Sequence, residues 1–128
     1  MRSIEPNHPH PEKGQIRVYE EGENPPNIRS SKQGALKNMT YYELVEVLGE
    51  PTYPNRSGDE KTQKEWVIEY TPFGEMHYIF RIYDWKTNSA WNTMTSLTTW
   101  SIGGEEGSEF TAMQLESLLR NLISMNKV

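Results

Sequence analysis

The run Met76–Trp85 constrains the fold more than any other part of the chain. In an extended backbone Tyr78, Phe80 and Ile82 fall on one side, and Ile79, Arg81, Tyr83 and Trp85 on the other, because side chains alternate across a strand. The first side is apolar and has to be covered. A cover is available near the end of the chain, where Leu115, Leu118, Leu119, Leu122 and Ile123 form a stripe at helical spacing. A helix is therefore predicted over Thr111–Met125, with Thr111 and Gln114 as its capping box. The second side of the strand mixes aromatic rings with a cation.

Trp66–Tyr70 reads as another strand from its β-branched and aromatic content. Pro72-Phe73-Gly74-Glu75 then joins it to Met76–Trp85 as a hairpin turn. Leu97–Ile102 supplies a third strand after a loop at Thr87–Thr95. Ahead of the sheet, Thr40 and Glu43 form a capping box, and Leu44, Val45 and Leu48 share a face. Gly49 suits the left-handed position after a helix, and Pro51 cannot continue it, so a helix is predicted over Thr40–Leu48. The expected class is α+β: a small antiparallel β-sheet packed against a C-terminal helix, with a short N-terminal helix. Residues 1–14 hold three prolines and little to bury, Gln15–Tyr19 alternates like an edge strand, and Glu20–Gly34 has loop chemistry. The organisation read from this is a largely irregular N-terminal arm over 1–38 and a single α+β domain over 39–128.

Composition matters mainly for what it excludes. Thirteen basic against 18 acidic residues give a net charge of −5, which argues against binding a nucleic-acid polymer through its phosphates. The chain has no cysteine, so disulfides and thiolate metal sites are ruled out, in keeping with a reducing cytoplasm. No run reaches the 18 or so apolar residues of a membrane helix, and the N-terminus lacks a signal-peptide pattern. A soluble intracellular protein is expected. His8, His10 and His77 have no third ligand spaced to complete a metal site. Ser57-Gly58 and Ser101 lack the glycine-flanked setting of a nucleophile. No cofactor and no enzymatic activity are expected.

Binding chemistry gathers where the second and third strands end, in Ile82-Tyr83-Asp84-Trp85-Lys86 and Trp100-Ser101-Ile102-Gly103-Gly104. Tyr83, Trp85 and Trp100 offer stacking faces, and Lys86 and Arg81 offer positive charge. Asp84 and Glu50 can accept from base or ribose donors, and the Gly103-Gly104 amides can approach phosphate. Ile102 belongs to the same phrase. Plainer readings stand beside these: Trp85 and Trp100 as core, Asp84 as a strand-end cap, the cations as solvated charges, and the glycine pair as a turn. Together, flat rings, donors and acceptors within a few residues point to a flat anionic ligand.

The ordered phrases Leu48-Gly49-Glu50-Pro51, Ile82-Tyr83-Asp84-Trp85-Lys86 and Trp100-Ser101-Ile102-Gly103-Gly104 resemble those of the Vs.4-related anti-CBASS proteins of tailed phages. These are small sponges for cyclic nucleotides, and the match spans residues 39–125. The resemblance implies a compact α+β protomer that self-associates in the cytoplasm of an infected bacterium. It also implies sequestration of a cyclic dinucleotide such as 3′,3′-cGAMP without cleavage, which blocks the defence that the nucleotide would trigger. Self-association into a homodimer or larger homo-oligomer also fits the 14 Phe, Tyr and Trp residues, a large aromatic supply for one small core. An inhibitor that docks on a host protein through its acidic, aromatic surface is the alternative. A phosphodiesterase would need a metal or a paired general acid and base that the sequence does not offer.

Overall fold

The computed structural model describes residues 1–4, 15–27, 29–55, 62–72, 76–85 and 89–126. Its elements run β1 (Arg2–Ser3), β2 (Gln15–Val18), β3 (Ser31–Lys37), α1 (Tyr41–Leu48), β4 (Glu65–Thr71), β5 (Tyr78–Tyr83), α2 (Ala90–Thr95), β6 (Thr99–Gly104) and α3 (Glu109–Asn126). The strands pair antiparallel in one sheet of order β1-β2-β4-β5-β6-β3. This is the α+β arrangement expected from the sequence. The three strands read from the sequence form its middle, and the Leu115, Leu118, Leu119, Leu122 and Ile123 stripe is buried in the shared core.

The N-terminal region corrects the sequence reading, because three of the six strands come from the first 37 residues. β2 lies between β1 and β4, and its Ile16 and Val18 extend the core face of β4 opposite Tyr70 and Ile68. β3 lies in a segment read as mostly loop, and it pairs with β6 along its whole length. Its signal is weak for two physical reasons. Leu36 is its only large apolar residue, and a register shift between Lys32 and Gly34 breaks the alternation. At Gly34 an added Cβ would lie 3.6 Å from the Ala112 Cβ, an ordinary contact, so α3 packs beside this strand without needing a glycine there.

Two further boundaries differ. Part of the segment read as a loop at Thr87–Thr95 is α2, capped by the Ser89 hydroxyl, which accepts from the Asn92 amide at 3.2 Å. α3 begins at Glu109, and the Ala112 amide donates to the Ser108 carbonyl at 2.9 Å. Thr111 is therefore a buried residue of the first turn and not its cap. The predicted turn at Phe73-Gly74-Glu75 and residues 5–14 of the predicted irregular arm lie outside the described residues.

α1 forms as predicted. The Glu43 amide donates to the Thr40 hydroxyl at 3.2 Å, and the Thr40 amide donates to the Glu43 carboxylate at 2.9 Å. The sheet holds both ends of this helix. The Trp100 indole N–H donates to the Met39 carbonyl, and the Trp66 indole N–H donates to the Gly49 carbonyl, each at 2.9 Å. The two indoles meet edge to face at 5.4 Å, with Tyr41 tilted over both. At the far end of α1 the Arg2 guanidinium donates to the Leu48 carbonyl, a cation placed where the helix dipole is negative.

Candidate functional site

Side-chain parity along β5 and β6 decides which predicted residues can meet a ligand. On β6, Trp100, Ile102 and Gly104 point to the helix-covered face, whereas Ser101 and Gly103 point to the other. On β5, Phe80 and Ile82 face the core, while Arg81 and Tyr83 face away. The open face carries a groove of about 790 Å³, with Tyr83, Trp85, Arg81, Lys32, Ser101 and Glu65 among its walls. That volume lies within the roughly 300–1,000 Å³ of small-molecule sites.

Three of the predicted site residues are brought together here. Trp85 is 49% exposed and meets Tyr83 edge to face at 6.0 Å. Gly103 makes room for this arrangement, because a Cβ there would sit 3.2 Å from the Tyr83 ring. Arg81 pairs with Glu65 on the neighbouring strand at 2.9 Å, so the two charges largely cancel within the groove. Lys32 is exposed and makes no ion pair among the described residues, which gives the groove a local positive end on an acidic protein. Burial, and then repulsion by Glu65, push the Tyr83 phenol above its ordinary pKa, while a hydrogen bond with Ser101 opposes them. Tyr83 is thus a neutral phenol at physiological pH.

The other predicted residues lie elsewhere. Trp100 and Ile102 are fully buried in the core, so neither offers a face to a ligand. Ile102 is paired with Ile82, so Trp100 and Ile102 share the face of Phe80 and Ile82, and β6 runs on through Gly104 where the sequence reading ended it at Ile102. Gly103 is paired with Lys32 on one side and Arg81 on the other, which places its backbone in the sheet ladder. Gly104 is paired with Ser31. It serves packing, since a Cβ there would come within 2.8 Å of the Phe80 ring. The glycine pair is therefore part of a strand and not an anion-binding turn.

Asp84 is fully buried and is used internally. Its Oδ1 accepts from the Gln63 and Lys64 amides at 2.8 and 3.0 Å, and its Oδ2 accepts from the Thr93 hydroxyl. One carboxylate thus joins the chain leading into β4, the end of β5 and α2, and it fixes the backbone next to Trp85. Glu50 is exposed just past α1. After burial, it is the next cause raising the pKa of the Tyr41 phenol, which places it on the helix side and away from the groove. Lys86 lies outside the described residues.

Sequence reasoning missed Lys32, Ser101 and Glu65. Lys32 was hidden by the irregular alternation of β3. Ser101 and Glu65 could have been found by parity alone, as the outward neighbours of Trp100 and Trp66.

Among the described residues no group of three His, Cys, Asp or Glu side chains could hold a metal ion. Nor is any helix there long and apolar enough to cross a membrane. Comparison with protein-family models, curated proteins and solved structures finds no match to this chain.

Proposed function

We propose that the protein sequesters a cyclic dinucleotide of the 3′,3′-cGAMP class on the open face of its sheet and does not cleave it. One observation carries this reading: the groove in which Tyr83 and Trp85 stand beside Lys32, Arg81 and the Ser101 hydroxyl. Bases stack on aromatic faces at about 1–3 kcal/mol each, and phosphates are drawn to the cationic end. Among the described lining residues Glu65 is the one carboxylate, and it is committed to Arg81. The same described residues include no second carboxylate and no histidine to pair with it for phosphodiester cleavage. A sponge of this kind would block a defence that is triggered by the nucleotide, as the family resemblance implies.

The protomer is proposed to self-associate. Trp91, Phe110 and Met113 are each more than 60% exposed, a burden that a symmetric contact would relieve. Light scattering should give a multiple of the 14.9 kDa chain mass; a monomer mass at micromolar concentration contradicts self-association. The same exposed side chains favour the second reading, an inhibitor docked on a host protein.

Calorimetry with 3′,3′-cGAMP separates the two functions. Trp85→Ala should weaken binding by about tenfold to a hundredfold. Lys32→Ala should weaken it by an amount that shrinks as salt is raised. Wild-type affinity in the folded double variant would place the site elsewhere.

A further inference from the structure

A second cavity, of about 460 Å³, opens next to the groove, and Thr62 and Glu65 line both. Strand pairing builds the wall between them. Tyr53 bridges to Glu65 on one side, and Tyr83 is paired with Glu65 on the other. Paired residues of antiparallel strands project to the same face. At about 4.8 Å between strands, the two tyrosines stand roughly 10 Å apart with a carboxylate between them. Tyr53 is 41% exposed, so each cavity has its own accessible aromatic ring: Trp85 in the first, Tyr53 in the second.

The two cavities differ in charge. Glu65 lines both and is paired with Arg81, so the difference lies in Lys32, which lines the first, and Glu21, which lines the second; among the described residues no lysine or arginine lines the second. Glu21 belongs to a tight turn held by the Glu23 amide, which donates to the Glu20 carbonyl at 3.1 Å; Gly22 takes a positive φ of 90° in it. The turn therefore places the Glu21 backbone at the second cavity, which Glu21 helps to line.

We infer that the two cavities are the lobes of one site, and that the acidic lobe selects a nucleobase with a donor edge, guanine before adenine and adenine before uracil. This inference rests on the cyclic-dinucleotide reading and adds the base specificity. One base would occupy the Trp85 lobe with the phosphates toward Lys32, and the second would lie against Tyr53. A carboxylate has two acceptor oxygens and no donor. Guanine offers it two parallel donors, the ring N1–H and the exocyclic amino group. Adenine offers only an amino group. Uracil offers one N–H flanked by carbonyl oxygens, which a carboxylate repels.

The test is calorimetry of the full chain with three symmetric cyclic dinucleotides: di-GMP, di-AMP and di-UMP. Wild type should bind the guanine ligand at least about tenfold more tightly than the uracil ligand. Tyr53→Ala should lower affinity for the guanine ligand by about tenfold to a hundredfold. Glu21→Gln should narrow the guanine-to-uracil ratio. Both side chains are exposed, and unchanged thermal midpoints without ligand would verify folding. If dinucleotides bind and Trp85→Ala weakens them, while Tyr53→Ala and Glu21→Gln both stay within twofold of wild type, the second lobe is refuted and the sponge reading stands. If wild type binds neither these three nor 3′,3′-cGAMP, both fall.

Discussion

Replacing Asp84 with alanine removes the acceptor for three donors at once: the buried Gln63 amide and Thr93 hydroxyl, and the half-buried Lys64 amide. A buried donor left without a partner costs about 1–3 kcal/mol. Some of this is recovered if the Thr93 hydroxyl rotates or water enters the gap, so the net loss should be about 3–5 kcal/mol, a large share of the roughly 5–15 kcal/mol that holds a domain folded. At about 2 cal/mol/K of unfolding entropy per residue, a chain of this length loses roughly 4 °C of Tm per kcal/mol, or about 11–19 °C in all. Asp84→Asn keeps one carbonyl oxygen for the two amides and should cost about 1–2 kcal/mol. Denaturant titration of the three proteins gives these differences directly. The contrast also separates a structural role from a ligand-binding one. Under the structural account Asp84→Asn, once folded, binds ligand as wild type does. A loss below about 1 kcal/mol for Asp84→Ala, or a folded Asp84→Asn that has lost binding, would refute the reasoning.

Two glycines make a paired test of packing. Gly104→Ala would put a Cβ 2.8 Å from the Phe80 ring and should cost about 1–3 kcal/mol, whereas Gly34→Ala meets only ordinary contacts and should be nearly neutral; thermal melts distinguish them. Stability should also fall in alkali. Burial raises the phenol pKa of Tyr19, Tyr41, Tyr70 and Tyr83 in the folded state. Their contribution is therefore complete below the unfolded value of about 10 and lost as pH rises through the raised ones. The phenolate absorbance contributed by these four tyrosines should rise together with unfolding when pH is increased from about 9 to 12.

The parts of the fold legible in the sequence were those with a strong periodic signal. Met76–Trp85 declared its two faces through strict alternation, and the leucine stripe declared α3. The Thr40–Glu43 capping box placed the start of α1 correctly because its two side chains serve backbone donors within a single turn. β3 and α2 were not legible for the opposite reason. The partner of β3 is a distant strand, α2 is a short helix whose Thr93 is held by Asp84 from the end of β5, and Leu36 or Thr93 gives no periodicity alone. At the site, Tyr83, Trp85 and Arg81 were found because they share the outward parity of β5. Trp100 was misplaced because the end of β6 was set two residues too early, which made a core tryptophan look like one at a strand end. Asp84 and the glycine pair have the right chemistry for a ligand, but the fold uses it: donors from Gln63, Lys64 and Thr93 occupy the carboxylate, and the close approach of Phe80 requires Gly104.

The most direct measurement of sequestration is a bind-and-release experiment. The purified chain is incubated with 3′,3′-cGAMP at stoichiometric concentration and filtered to remove free nucleotide. It is then heated to unfold the protein, and the released nucleotide is identified by chromatography. The account predicts that the nucleotide is retained by the folded protein, recovered intact after heating, and retained far less by the Trp85→Ala, Lys32→Ala variant. Nucleotide that passes freely through the filter, or that returns cleaved, would contradict it.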